Sequence, residues 1–250
     1  MALSIYLENV RRDLRLRRET DYIMPLWYPF LPIILSVITI FMELLALSTT
    51  GFYRVGAQGY PWLVYSPLGL IGWLLNLYVV YKWIDRRNEH FKRSRDLFND
   101  IVSFLRASGS DKVGAHANAI KRTLREAEFE EAERSAALWA ILSFIIPFLI
   151  FYVYHFLNKD FYRHEKREGA MLEDLGRALE VLGLAGVRLG RPEGIKDRST
   201  ALYIIASVLT LGFFLLYWVY TLTKDPNSHF KGHALWEDEL LSLLEKVAKA

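Results

Sequence analysis

The chain has 250 residues, of which 52% are hydrophobic, 14% aromatic and 24% charged, and its formal net charge is +3. It contains no cysteine, which excludes disulfides, thiolate metal sites and a cysteine nucleophile. The small positive charge suits an anionic membrane surface and gives no reason to expect nucleic acid as a partner.

The first segment, residues 1–21, predicts an amphipathic helix. Leu7, Val10 and Leu14 share one face at helical spacing, and five arginines surround the other face. A cleaved signal peptide places its charges before its apolar run, and this segment has a different order. We therefore expect an interfacial helix that leads into the first membrane segment.

Four apolar blocks follow, separated by strongly charged segments. They cover about residues 22–48, 62–84, 136–157 and 200–223. A helix of about 20 apolar residues crosses the roughly 30 Å hydrocarbon core of a bilayer, and all four blocks reach that length. The sequence therefore predicts an all-α, polytopic membrane protein of the cell membrane, with the lipid bilayer as its partner.

A self-similarity in fixed register relates three parts of the chain. Residues 78–105, 152–179 and 217–244 align without a gap, and each runs from an aromatic residue into a charged tail. The register pairs three histidines and three sets of apolar tail positions. These are His90, His164 and His229; Leu97, Met171 and Trp236; Ile101, Leu175 and Leu240; and Leu105, Leu179 and Leu244. The pattern is typical of tandem units, here a membrane segment followed by an amphipathic helix.

These units divide the chain after residue 21 into three parts. Residues 22–110 hold two membrane helices and the first tail, and residues 199–250 hold the third unit. Residues 111–198 hold a connecting helix, predicted from Ala117 to Arg134, with the second membrane segment and tail.

The apolar stripes of the three tails have two possible uses. They could rest on the membrane surface or pack against one another. Acids and bases are nearly balanced on the polar faces, which favours helix packing over lipid binding. In the last tail, Asp225 and Pro226 predict a helix start, with aspartate as the cap and proline at the first helical position.

The distribution of Lys and Arg raises a question of topology. The 49–61 connection holds one basic residue, whereas 85–135 holds eleven and 158–198 holds nine. Because basic residues gather on the cytoplasmic side, we expect both long segments and both termini to be cytoplasmic. Four simple spans would place 158–198 outside. Re-entrant hairpins over 136–157 and 200–223 would keep every charged segment inside.

Both of these blocks carry a break near the middle that permits a hairpin. Pro147 removes a helix hydrogen bond in one, and Gly212 tolerates a sharp turn in the other. Each half would have about ten residues, or roughly 15 Å of helix, and would reach the middle of the bilayer. Proline and glycine also occur within ordinary membrane helices, so plain spans remain the alternative.

The repeated histidines, His90, His164 and His229, are expected where the helices meet the lipid headgroups, in a structural role. Histidine titrates near neutral pH, which leaves pH sensing open. His233 follows His229 by one helical turn, a ligand spacing on one helix face. The other two units have no second histidine at that position, so we expect no metal site and no cofactor.

Few polar residues fall within the apolar blocks, and they define an alternative function. Glu43, Asn76 and His155 lie in the first, second and third block. An ionisable group in a membrane span is costly and is a functional-site hypothesis by default. A small channel or transporter that uses these three side chains is therefore the alternative to a structural role.

Six aromatic residues near the charged ends of the blocks are typical of interfacial anchors. They are Tyr78, Trp83, Tyr152, Tyr217, Trp218 and Tyr220. No nucleotide-binding glycine loop, zinc-protease motif or serine-hydrolase motif occurs, so we expect no enzyme. The sequence favours a structural or scaffold protein that assembles with itself, as a homo-oligomer, or with partner membrane proteins.

One segment of the third unit resembles a known family. The segment reads Ser207-Val208-Leu209-Thr210-Leu211-Gly212-Phe213, followed by Tyr217-Trp218-Val219-Tyr220. It is similar to the "leucine-serine-x-x-threonine-x-glycine … tyrosine-tryptophan-x-tyrosine" pattern of an uncharacterised family of prokaryotic membrane proteins, whose members often carry it in several copies. The resemblance implies a membrane protein with repeats and implies no activity. The second copy departs from the pattern, with Pro147 at the glycine position.

Overall fold

A computed structural model describes residues 2–50, 67–184 and 194–249, and all regular structure in these ranges is helical. The elements are α1 (Ala2–Thr20), a 3-10 turn (Tyr28–Phe30), α2 (Leu31–Thr50), α3 (Pro67–Ala107), α4 (Asp111–Glu130), α5 (Ala136–Ile145), α6 (Leu149–Val181), α7 (Thr200–Leu209) and α8 (Phe213–Lys249). The predicted all-α fold is confirmed. Residues 51–61 of the 49–61 connection, which include its single basic residue, Arg54, lie outside the described residues.

Two stretches are long and apolar enough to cross a bilayer. One is Tyr28–Leu45, with a mean hydropathy of 2.0, and the other is an 18-residue window of helix Pro67–Ala107, with a mean hydropathy of 1.2. The rest of the chain buries only 17% and 33% of these windows, unlike the core helix of a soluble protein. Helices α5 and α7 are apolar but have only ten residues each.

Helices α5 and α6 form a hairpin, and so do α7 and α8. Trp139 on α5 lies against Phe156 on α6, with ring centroids 5.8 Å apart. Tyr203 on α7 lies against Trp218 on α8, at 5.3 Å. Within each pair, the two residues lie at nearly the same distance along the chain from the break between them. Each pair of helices therefore runs antiparallel. The chain therefore reverses direction at both predicted breaks.

The two hairpins begin and turn in similar ways. Ser135 and Ser199 cap α5 and α7, each accepting a hydrogen bond from the backbone N–H three residues later. Pro147 lies in the first break, where it cannot donate to a helical carbonyl. In the second break Leu211 and Gly212 both have positive φ, 51° and 92°. That conformation is common for glycine and costs energy for leucine.

The hydrophobic core has two main parts. The hairpin core joins the apolar halves of α3, α6 and α8 to α5 and α7. The tail core joins their charged halves to α1 and α4, and it contains all nine repeat-aligned apolar tail positions. The predicted mutual burial of the three tail stripes is confirmed. Leu7, Val10 and Leu14 of α1 also lie in the tail core, so protein and not lipid covers this face.

Three predicted helix boundaries are wrong. Pro226 lies inside α8, which runs through the residue predicted to start a new helix. The connecting helix α4 begins at Asp111 and ends at Glu130, earlier at both ends than predicted. The apolar stripe of α4 accounts for its earlier start, because Val113 and Ala117 already pack in the tail core.

Candidate functional site

A layer of buried polar side chains lies between the two cores, part-way along the three long helices. Its centre consists of His90 on α3, His164 on α6, and His229 and His233 on α8. Each helix enters this layer from the hairpin core and leaves it into the tail core. The three histidines that the sequence places in one register therefore meet at one point.

The four imidazole rings are close enough to interact directly. The Nε2 atom of His229 lies 3.1 Å from Nε2 of His90 and 3.2 Å from Nε2 of His233. One ring nitrogen of each histidine lies within 4.8 Å of one from every other. The ring of His164 stacks on Phe91 with centroids 4.1 Å apart, which fixes its orientation.

Three of the four rings contact a buried carboxylate through Nδ1. The pairs are His90 with Asp21 (2.9 Å), His164 with Glu131 (3.1 Å) and His233 with Glu237 (2.8 Å). A carboxylate at Nδ1 favours the tautomer that carries its proton there, which leaves Nε2 as the lone-pair nitrogen. Each carboxylate therefore orients a ring, and Asp21 and Glu131 also favour the tautomer that carries the proton on Nδ1.

The fourth ring, His229, has no such carboxylate. Its Nδ1 is buried and makes no hydrogen bond to any residue in the described ranges, and the same is true of Nε2 of His164. Buried ring nitrogens normally have partners, so two unpaired ones in a single cluster require an explanation.

Glu168 on α6 completes the centre. Its carboxylate lies 3.0 Å from Nε2 of His233 and 3.8 Å from Nε2 of His229. Ser94 Oγ donates to it over 3.5 Å. Within the described part of the chain, no lysine or arginine forms an ion pair with Glu168. The histidines are therefore the source of positive charge for this buried acid.

The protonation states follow from these contacts. Burial alone lowers the pKa of His233, but Glu168 and Glu237, one at each ring nitrogen, raise it to about 9. Burial and the neighbouring histidines hold the pKa of His229 well below its usual value. At neutral pH His233 is therefore an imidazolium that donates to both acids, and His229 is neutral.

The carboxylates of Asp21 and Glu131 are positioned by matching local structures. Asp21 is the first residue after α1 and Glu131 the first after α4, and each donates its backbone N–H to the carbonyl four residues earlier. The side chain of Asn227 accepts a hydrogen bond from the backbone N–H of Met24, three residues after Asp21, and donates one to its backbone carbonyl. Asn88 does the same for Arg134, three residues after Glu131. Asn88 and Asn227 occupy one register position.

The corresponding place before the third unit has no acid. Ile195 stands five residues before α7, as Glu131 stands five residues before α5. Its backbone N–H donates to Glu165 over 2.7 Å, and its side chain packs beside Phe91, Phe161 and Phe230. The missing carboxylate explains why His229 has no partner at Nδ1.

Arginines compensate the acids around the centre. Arg93 is buried and contacts both Asp21 and Glu237 at 2.8 Å. Burial alone raises the pKa of Glu131, whereas His164 and Arg167 lower it to about 2. These acids therefore stay ionised at neutral pH and remain strong hydrogen-bond acceptors for the histidines.

The six predicted interfacial aromatics divide into two groups. Trp83 and Trp218 are buried in the hairpin core, where Trp83 Nε1 donates to Thr223 Oγ1 over 3.0 Å. The four tyrosines are exposed or partly exposed, and their place at a membrane interface stays a prediction. They are Tyr78, Tyr152, Tyr217 and Tyr220.

The structure does not bring the three intramembrane polar residues together. Tyr28 on the short turn faces Tyr78 on α3, and Leu35 lies against Gly72, so α2 and α3 run antiparallel. Asn76 therefore lies near the start of α2, far along the helix from Glu43. Nδ1 of His155 is 2.7 Å from Thr200 Oγ1 between the two hairpins.

Sequence reasoning found three of the four central histidines and missed their convergence. It treated His233 only as a partner for His229 on the same helix, and it assigned no role to Asp21, Glu131 or Glu168. One signal was available, since repeat-equivalent residues often meet around a shared axis. Asp21 and Glu131 carry no such signal, because they follow helices that lie outside the aligned segments. Glu168 lies within an aligned segment, at the register position of His233.

The chain matches the family described as Domain of unknown function (DUF4234) over residues 198–240. These residues include α7, the second break, His229 and His233. The match supports the resemblance to an uncharacterised family noted in the sequence. No curated protein matches the chain, and no solved structure does.

Proposed function

We propose that the chain is an integral membrane protein with a structural role, built from tandem units that share one central axis. In this proposal α2 and the apolar half of α3 cross the membrane. The two hairpins re-enter a single leaflet, and both termini and the charged helical layer are cytoplasmic. The tandem arrangement is supported by the shared register of the three histidines and by the shared register position of Asn88 and Asn227.

The observation that carries the membrane proposal is the exposure of the hairpin tips. Phe148 is 80% exposed and Leu211 is 90% exposed, and the neighbouring tip residues Ile145, Leu209 and Phe213 are also exposed. Contiguous exposed apolar side chains of this size are rare on soluble proteins and mark lipid or partner contacts.

The opposite end of each hairpin is charged, which fits a membrane boundary there. Arg134 contacts Asp160 at 2.9 Å beside the start of α5, and Arg198 contacts Asp225 at 3.1 Å beside the start of α7. A ten-residue helix is roughly 15 Å long, about half of the bilayer core. A hairpin of this length suits one leaflet better than a complete crossing.

Cysteine accessibility tests this topology, since the chain has no natural cysteine. Single cysteines at Ser110 and Ser199 should both resist an impermeant thiol reagent added outside intact cells. A cysteine at Arg54 should react and serves as the positive control. Reaction at 199 without reaction at 110 would mean that the blocks are plain spans, and it would overturn the hairpin proposal.

The proposed scaffold role depends on what contacts the apolar outer surface of the protein. The exposed side chains of α2, which include Val37, Phe41 and Leu44, face lipid or another copy of the chain. A channel through Glu43, Asn76 and His155 has less support, because these residues form no common cluster. Ion flux in liposomes, compared with a Glu43→Ala variant, separates the two functions: flux that the variant loses would favour the channel.

A further inference from the structure

The geometry at the centre of the polar layer fits a bound metal ion. Zn²⁺ binds imidazole nitrogen at about 2.0–2.1 Å, and neighbouring ligands of a tetrahedral site are then about 3.3–3.4 Å apart. The Nε2 atoms of His90, His229 and His233 are separated by 3.1 and 3.2 Å along the two contacts that His229 makes. His164 offers a fourth ring nitrogen within 4.8 Å of the others.

We propose that His90, His164, His229 and His233 together bind one divalent first-row transition-metal ion. The site would join three helices whose ligands come from three separate parts of the sequence. This assignment goes beyond the structural role proposed above and does not depend on the membrane topology.

The outer contacts are those of a metal-binding histidine. A ligating imidazole usually donates its other N–H to a carboxylate or carbonyl, which fixes its tautomer and raises its basicity. Asp21, Glu131 and Glu237 occupy this position for three of the four rings. All three acids are buried, so they act on the histidines and are not shared with solvent.

An unpaired ring nitrogen points to the same ligand. Nε2 of His164 is buried without a hydrogen-bond partner in the described residues. With its proton held at Nδ1 by Glu131, His164 presents a lone pair at Nε2, which a metal ion would satisfy. A network of hydrogen bonds alone leaves this nitrogen unused.

Charge also favours a cation at this point. Glu168 is buried beside His229 and His233, and no lysine or arginine of the described chain forms an ion pair with it. A divalent ion bound by these histidines would compensate this charge. A small cavity bordered by Glu168, Gly169, His229 and His233 reaches the site between α6 and α8.

The donor set selects the class of metal. Imidazole suits Zn²⁺, Cu²⁺, Ni²⁺ and iron, whereas Mg²⁺ and Ca²⁺ prefer oxygen ligands. The chain has no cysteine, so a thiolate site is excluded. We therefore expect Zn²⁺ and Co²⁺ to bind and Mg²⁺ not to compete.

The test uses the full chain in mild detergent, treated with a chelator and then dialysed. Titration calorimetry and elemental analysis should give one Zn²⁺ per chain. Co²⁺ should bind at the same stoichiometry, with the intense visible absorption of a tetrahedral site. A folded wild-type chain that binds neither ion, or that gives only the weak spectrum of octahedral Co²⁺, would overturn the proposal.

Variants locate the ion. His164→Ala and His229→Ala should abolish binding, and Glu131→Gln should weaken it by about 10–100-fold, as second-layer changes do. His116→Ala is the matched control, since His116 lies outside the cluster and is partly exposed beside Asp174. Should His164→Ala not fold, His164→Gln replaces it. Binding in a folded ligand variant equal to that of the control would exclude these histidines as the ligands.

Discussion

Pro226 and Arg86 illustrate how a residue that normally ends a helix is accommodated inside one. Proline at position 226 cannot donate to the carbonyl of Leu222, which would otherwise accept a helical hydrogen bond. Arg86 Nη2 donates to this carbonyl over 2.8 Å, and Arg86 Nη1 reaches Asn227 Oδ1 at 3.0 Å. The buried guanidinium on α3 therefore replaces the missing N–H of α8.

This replacement predicts energetic coupling between the two positions. Arg86→Met leaves the Leu222 carbonyl unpaired, which typically costs about 1–3 kcal/mol. In a Pro226→Ala background, the N–H of residue 226 can bond that carbonyl, so the same change should cost less. Thermal or chemical unfolding in detergent, over the four combinations, gives the coupling free energy. Additive effects would mean that Arg86 does not serve this carbonyl.

Asp13 provides a pH-dependent prediction away from the histidines. It is buried on α1, and burial, opposed by Arg12, raises its pKa to about 6. An acid with a raised folded pKa favours folding while it is protonated, and that stabilisation is lost as the pH rises from about 4 to about 6. Above this range the folded chain carries an unfavourable buried charge.

Asp13→Asn removes that charge and keeps the shape of the side chain. The variant should be more stable than the wild type by about 1–3 kcal/mol at pH 7.5, and the difference should vanish near pH 4. Melting curves in detergent at the two pH values measure it. Asp96→Asn, at an exposed position on α3, should be neutral at both. A gain for Asp13→Asn that does not depend on pH would contradict the titration argument.

At the same scale, the sequence predicted the equivalence of His90, His164 and His229 but not their contact. A register states which residues are equivalent, and it does not state whether their helices converge on a shared axis or lie side by side. Arg86 was equally unpredictable. Its role depends on a carbonyl that Pro226 leaves free more than 130 residues later in the chain.

At the scale of elements, periodicity predicted most of the helices, and Pro147 and Gly212 indicated the two breaks. The burial of the tail stripes was predicted best, because three aligned patterns of apolar residues all indicated a buried helix face. Pro226 was read as a helix start because local capping rules cannot register a distant arginine. The prediction that α1 lies at the membrane interface also used only the residues of α1 itself. An amphipathic face predicts burial and does not specify whether protein or lipid covers it.

The burial of the tail stripe on α8 predicts a large difference between two leucines of one helix. Leu240 is fully buried in the tail core, whereas Leu235 is 76% exposed. Leu240→Ala should lower the free energy of unfolding by about 2–5 kcal/mol, because it leaves a cavity. Leu235→Ala should change it by less than about 0.5 kcal/mol. Equal melting temperatures for the two variants would place Leu240 outside the core.

At the scale of the whole molecule, small residues in the apolar helices are positions at which two helices can pack closely. Gly72, Ala140 and Ser207 are buried by contacts within the chain, so these positions serve the fold. The exposed apolar face of α2 is one surface of the described chain that contacts within the chain leave open. Helix packing in lipid needs close contact along such a face.

We therefore predict a homo-oligomer that associates through α2. The mass measured in mild detergent, corrected for bound detergent, should be a multiple of the 29.1 kDa of one chain. Conditions that preserve the fold can be verified by the thermal transition used for Leu240→Ala. A folded protein with the mass of a single chain would remove the support for a self-assembling scaffold.

The contact between α1 and α8 has a consequence for how the protein is made. Arg17 lies 3.3 Å from Glu237, a residue synthesised 220 positions later. At 5–20 residues per second, roughly 10–45 s separate the appearance of the two. During this interval Val10 and its neighbours on α1 lack one of the two helices that cover them. The nascent chain must therefore keep an apolar face from aggregating until its partner emerges, which a nearby bilayer or a chaperone can do.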